Sequence, residues 1–338
     1  MTSIKDVARD VAMSTATVSR ALRGLAGVSE ETRERVMESA RRLGYVPSPS
    51  AAGLGRGQPR TVAVIVPMVT RWFFASVVQG AEEVLREHGY DLLLYNLAGD
   101  AAARHRVFET SMLTKRVDAV LVLSLTPSPA ELDRLSRLGR PVTLVGVDLP
   151  AWATVRIDDR EAAATATGHL LGLGHRRIGY VGGATEGVLD LAAPTARLAG
   201  YRCTLEKHGL AASPALQRDG EFTIAGGARA ARDLLALPQP PTAIFAASDE
   251  MAMGVLRAAR DLGLRVPEDL SVIGVDDHEL ADYFDLTTVA QPVREQGRIA
   301  ASQVLAALAD DAWSPTQVIL PTRLVVRRTT GPVRSEGR

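Results

Sequence analysis

Residues 61–96, TVAVIVPMVTRWFFASVVQGAEEVLREHGYDLLLYN, decide the fold. The run from Thr61 to Val66 is apolar, mostly β-branched and too short for a helix, so it reads as a strand buried on both faces. After Pro67 the apolar residues recur at helical spacing, giving a helix over 74–88 that Gly89 stops. A second apolar run then gives a strand over 90–96. Strand, helix, strand is the unit that pairs strands in parallel. The rhythm continues, with strands expected at 119–123, 142–147, 178–182, 216–219, 243–246 and 271–275. Helices are expected at 101–115, 129–138, 160–173, 196–208, 225–236, 250–262 and 294–309. Eight such units exceed one open sheet comfortably. The body is therefore expected to be α/β, two doubly wound parallel-sheet subdomains with a ligand cleft between them near the carboxyl ends of the strands.

Upstream the pattern changes. Ser3, with Asp6 three residues on, opens a short helix whose apolar face is Ile4, Val7, Ala8 and Val11. Ser14 caps a second, roughly 15–23, and Ser29 a third that ends before Gly44. Only Ala12 and Met13 separate the first two, the tight spacing of a helix-turn-helix held by its third helix. Residues 1–60 carry ten basic and six acidic side chains, a net of +4 that leaves −4 for the rest of a chain with 39 of each sign. A basic arm on an acidic body points to nucleic acid. Residues 46–60, VPSPSAAGLGRGQPR, have linker composition.

Composition removes other classes. With 46% hydrophobic and 23% charged residues the chain is an ordinary globular one, not a disordered or fibrous one. A lone Cys203 excludes a disulfide framework, and the six histidines nowhere fall at a paired ligand spacing, so neither a metal nor a cofactor is expected. The N-terminus lacks the apolar stretch of an export signal and no run reaches membrane-spanning length, so a soluble, cytoplasmic protein without membrane contact is expected.

The segments IKDVARDVAMSTATVSRALRG (4–24) and VSEETRERVMESARRLGYVP (28–47) resemble the DNA-binding headpiece of the LacI/GalR family of bacterial transcriptional regulators. GHLLGLGHRRIGYVGG (168–183), ARLAGYRCTL (196–205), residues 242–277 and LTTVAQP (286–292) resemble that family's effector-binding core, of periplasmic sugar-binding type. The resemblance implies a headpiece over 1–46, a hinge helix and linker over 47–60, and an effector-binding and dimerisation domain over 61–330. Within that domain it implies one subdomain of about 61–159 and 291–320, another of about 160–290 and 321–330, and a tail at 331–338. Thr15, Ala16 and Arg20 would then read bases of double-stranded operator DNA, and Ser14, Thr17 and Ser19 would hold the backbone. Leu54 would wedge a base step from the minor groove. The departures are Ala12 in a turn where Gly is usual, which strains a positive φ, and Ser48 with several glycines in the hinge.

In the body, Arg197 and Asp276 match the family's polar anchors for ligand hydroxyls, Phe73 and Phe222 are candidate stacking faces, and Ser248 and Gln291 are further candidates. Asp249 is an alternative cap for the helix at Glu250. Met68 and Gly146 stand where acids are usual, and Arg71-Trp72 where Asn-Pro is usual, which favours a small-molecule effector other than a plain neutral hexose. The resemblance implies a homodimeric repressor of carbohydrate or related catabolic genes. The alternatives are a free solute-binding protein, a corepressor-dependent regulator of nucleotide metabolism, or an enzyme using VGGATEG (181–187) as a dinucleotide loop. That loop lacks G-x-G-x-x-G and no nucleophile–base pair is visible, so no catalytic residue is assigned.

Overall fold

The computed structural model describes residues 2–22, 24–45, 59–109, 113–114, 116–184 and 191–334. The expected hinge helix, with Ser48 and Leu54, lies outside them. The chain divides into a small unit of residues 1–60 and 115–118 and a large unit of residues 61–114 and 119–338.

The small unit has α1 (Ile4–Asp10), α2 (Thr15–Leu22) and α3 (Glu30–Arg42). Helices of 7, 8 and 13 residues are at or below the length that is stable alone, so the shared core must hold them. That core is Val7, Ala8, Val11, Val18, Ala21, Val36 and Ala40, edged by Ile4, Met13, Leu22 and Leu43. Ser3 donates its N–H and hydroxyl to the Asp6 carboxylate at 2.9 and 2.7 Å. Ser39 donates to Asp10 at 2.6 Å and so ties α3 to α1.

All three helices end in the same hydrogen-bond pattern, with the residue after next reaching back five positions: Met13 to the Ala8 carbonyl, Leu25 to Arg20 and Tyr45 to Ala40. The pattern requires a left-handed residue just past the end. Gly24 (φ 63°) and Gly44 (φ 62°) supply it for α2 and α3, but α1 uses Ala12 at φ 53°. The strain expected from the sequence is therefore present, about 1–2 kcal/mol for a residue with a Cβ.

The large unit holds two six-stranded sheets. Their strands are β1 (Thr61–Val66), β2 (Asp91–Asn96), β3 (Ala119–Leu123), β4 (Val142–Val145), β5 (Ala153–Ile157), β6 (Ile178–Gly182), β7 (Gln217–Asp219), β8 (Ala243–Ala246), β9 (Ser271–Asp276), β10 (Thr287–Ala290), β11 (Gln317–Leu320) and β12 (Arg323–Val325). The orders are β11-β5-β4-β3-β1-β2 and β12-β10-β9-β8-β6-β7. Every pairing is parallel except β10 with β12. Helices α4 (Trp72–Glu87), α5 (Ala101–Glu109), α6 (Pro129–Arg137), α7 (Asp159–Gly172), α8 (Ala192–Lys207), α9 (Ile224–Leu235), α10 (Asp249–Asp261) and α11 (Val293–Ala309) alternate with them. Central strands such as β3, β6, β8 and β9 are buried throughout, while the edges β2, β11 and β12 are part exposed, as parallel sheets between helices demand.

Each of the eight expected strands and eight expected body helices has a counterpart, and β5, β10, β11 and β12 are additional. These are three to five residues long and break the strand–helix rhythm. The helix expected over 101–115 ends at Glu109, and Leu113 and Thr114 lie in a bend and a turn. The strand expected to reach 147 stops at Val145 because Gly146 turns the chain at φ 76°. The chain crosses between the sheets after β5, after β10 and between β11 and β12. Gly331 and Val333, placed in a tail by sequence, are bonded to Ser271 and to the Leu173 carbonyl.

Candidate functional site

Two surfaces collect the candidate residues. On α2, Ser14, Thr15, Ala16 and Arg20 are exposed and Thr17 and Ser19 are half-buried, while Val18 and Ala21 face the core. Ser14 accepts the Thr17 N–H at 3.0 Å and shares a hydrogen bond with the Thr17 hydroxyl at 2.8 Å, so the N-cap is real. The Arg20 guanidinium donates to the Ala26 carbonyl at 2.9 Å, which lays it along the loop after α2. Hydroxyls at a helix N-terminus beside one exposed guanidinium make a face suited to phosphate oxygens and a base edge.

The second surface is a cleft in the large unit with a cavity of about 70 Å³. All six effector candidates line it: Phe73, Arg197, Phe222, Ser248, Asp276 and Gln291. Phe73 stands at the start of α4 after β1, and Phe222 in the turn after β7. Glu221 and Phe222 at φ 55° and 49°, and Asp276 and Asp277 at φ 130° and 58°, place four non-glycine residues in strained backbone around the cleft. Such strain persists only where the surroundings enforce it and is concentrated at ligand sites.

The polar floor is satisfied internally. Arg197, 5% exposed, donates from Nε to Asp159 at 2.8 Å and from Nη1 to the Ala247 carbonyl, and lies 3.9 Å from Asp276. Burial opposes its charge, but Asp159 and Asp276 outweigh that and hold the guanidinium above its ordinary value. Gln296 donates to Gln291 at 2.8 Å, and Gln291 to Asp276 at 2.6 Å. Burial pushes the Asp276 carboxyl above the usual range, although Arg197 pulls it back. Asp249 lies deeper, and burial, then the Asp276 charge, raise its carboxyl too.

Asp249 is not the helix cap. Ser248 caps α10, accepting the Met251 N–H at 3.3 Å, while Asp249 accepts the His278 N–H at 2.8 Å and the Thr288 hydroxyl at 2.7 Å. Sequence reasoning missed Asp159, Glu250, Gln296 and Ser124, which also line the cleft. An acid in the first turn of a helix reads as a dipole partner, and nothing in its spacing reveals that it faces an arginine 38 residues away. Gly146, standing where an acid is usual, has φ 76°, and a side chain there would approach Ser124 Oγ within 2.7 Å. A larger residue would be strained on both counts.

The sequence profile of the bacterial regulatory proteins, lacI family, matches residues 3–48, and that of a periplasmic binding protein-like domain matches residues 167–330. The HTH-type transcriptional repressor CytR of Escherichia coli (strain K12) is 38% identical over 336 residues, 97% of this chain and 96% of its own. The chain belongs to the lacI family of bacterial regulatory proteins. This lacI-family chain is a DNA-binding transcriptional regulator. A solved lac repressor dimer bound to operator and the anti-inducer ONPF matches it with a TM-score of 0.83 at 25% identity, covering 98% of this chain and 99% of the other. The transcriptional regulator CelR–cellobiose complex matches with a TM-score of 0.72 at 32% identity, covering 97% and 100%. Among the described residues no helix is long and apolar enough to cross a membrane, and no acid, cysteine and histidine cluster could hold a metal ion.

Proposed function

We propose that the protein is an effector-controlled repressor that binds a pseudo-palindromic operator as a homodimer and catalyses no reaction. In this reading Thr15, Ala16 and Arg20 read base edges, Ser14, Thr17 and Ser19 hold the backbone, and Leu54 wedges the central step. One short reading helix carries too little sequence information alone, so a two-fold dimer on a two-fold site is the economical arrangement. The carrying observation is that six residues chosen from sequence line one cleft, with two aromatic faces beside a preorganised Arg197–Asp276–Gln291 floor. That combination suits a hydroxyl-rich small molecule such as a sugar or sugar derivative. The relative solved with cellobiose supports this class.

Selection of bound duplexes from a random pool by the full chain, repeated with sugars that raise its melting temperature, tests the reading. A two-fold consensus whose retention changes with such a sugar is expected. An asymmetric consensus would remove the dimer, and a consensus indifferent to every stabilising sugar would remove the effector role.

A further inference from the structure

The cleft also carries direct contacts between its two sides. Arg71 and Trp72 open α4 on the first sheet's side, and Glu250 and His278 follow β8 and β9 on the second. The Trp72 and His278 rings meet across the cleft with centroids 4.5 Å apart and planes inclined at 37°. His278 is oriented for this, because its Nδ1 accepts the Leu280 N–H at 3.0 Å, which leaves the ring neutral with its proton on Nε2. Burial raises the Glu250 carboxyl, and the Arg71 charge and the Trp72 backbone N–H draw it back down. Leu125, after β3, and Leu191, before α8, form an antiparallel bridge between the same two sides. Trp72, one of the two sequence departures at 71–72, is thus in contact across the cleft.

We infer that Trp72 and His278 form a latch that holds the two sheets closed over the cleft. These are positioning residues, which set how far closure lies toward the closed state before any effector acts. The inference rests on the effector-control reading for its regulatory meaning but not for its physics. Removing one ring of an aromatic pair shifts the closed-to-open ratio by roughly 2- to 12-fold.

Two readouts in the full-length protein test the latch without DNA or effector. The chain has three tryptophans, so replacing Trp152 and Trp313 by Phe leaves Trp72 as the reporter. Acrylamide should then quench it more strongly in His278→Ala, and a His278→Phe variant, which restores a ring, should return quenching toward the parent. Spin labels at Glu87→Cys and Lys207→Cys, with Cys203→Ser, report the separation of the sheets, and Trp72→Ala should broaden that distribution toward longer distances. If His278→Ala does not fold, the Trp72→Ala distances decide. Unchanged quenching and distances would overturn the latch. Changed distances with unaltered effector control of DNA binding would leave the latch standing and overturn the regulatory reading instead.

Discussion

The helix α2 face and the cleft, the two candidate sites, hold their polar groups in opposite ways. On α2 the candidates are exposed and bonded only to near neighbours, Ser14 to Thr17 and Arg20 to Ala26. In the cleft Arg197, Asp276 and Gln291 are buried and bonded to residues distant in sequence. A highly charged partner such as DNA supplies the electrostatic attraction itself, so its reader can stay solvated. A small ligand supplies far less, so its site gains from being rigid beforehand. The consequence is that function and stability are separable on α2 and entangled in the cleft.

The sharpest way to break this comparison is Arg197→Ala. It strands Asp159 and Asp276 without their cation, and removing one partner of a buried ion pair costs about 3–5 kcal/mol. Denaturant unfolding of the large unit should shift by that order, with effector response lost. A variant that loses effector response at unchanged stability would show that the floor is not entangled after all.

Arg20→Ala is the counterpart on α2. It should cost roughly 1–3 kcal/mol of operator affinity and relax preference at one base pair per half-site. Unfolding should barely move, since the exposed guanidinium has a single bond to a loop carbonyl. Affinity lost equally on all sequences would make Arg20 a backbone contact.

These contrasts also explain what the sequence could reveal. Phe73 and Phe222 follow strand ends, so topology pointed them to the cleft, while Arg197 and Asp276 were legible through the family resemblance of the segments that carry them. Asp159 and Glu250 were hidden, because an acid in a first turn has an ordinary local explanation and its true partner is set by the crossing of the chain between the sheets. The strands β10, β11 and β12 were hidden for a related reason. Thr287 of β10 shares a hydrogen bond with the Thr330 hydroxyl and Thr288 donates to Asp249, so a buried strand reads as polar. In the small unit caps and stops are local, and Ser14, Ser29, Gly24 and Gly44 could be read directly.

Ala12 sharpens the comparison on the stability side. Gly there should relieve the left-handed strain that Gly24 and Gly44 avoid, offset in part by unfolded-state entropy, for a net gain of about 1 kcal/mol. Thermal melting of the small unit followed by helix signal measures it. No gain would mean that the turn between α1 and α2 relaxes around the methyl group.

The smallest expected effect is a pH response that separates the two regions. All six histidines lie beyond Arg60, so going from pH 7.5 to 5.5 leaves the charge of the α1–α3 unit almost untouched. In the large unit burial lowers His175, which is hydrogen-bonded to Thr242, Ser271 and the Gly331 carbonyl. A histidine lowered in the folded state contributes stability that is complete above its unfolded value near 6.5 and is lost as pH falls through the folded value. The raised carboxyls of Asp249 and Asp276 act oppositely over the same interval, since the folded state there binds more protons than the unfolded one. Wild-type stability against pH therefore mixes the two, and the difference from a variant isolates one. The stability deficit of His175→Gln should be largest at pH 7.5 and should shrink toward pH 5.5, while melting of the small unit changes little over the interval. A deficit independent of pH would mean that His175 is not held neutral by burial and serves only through its packing.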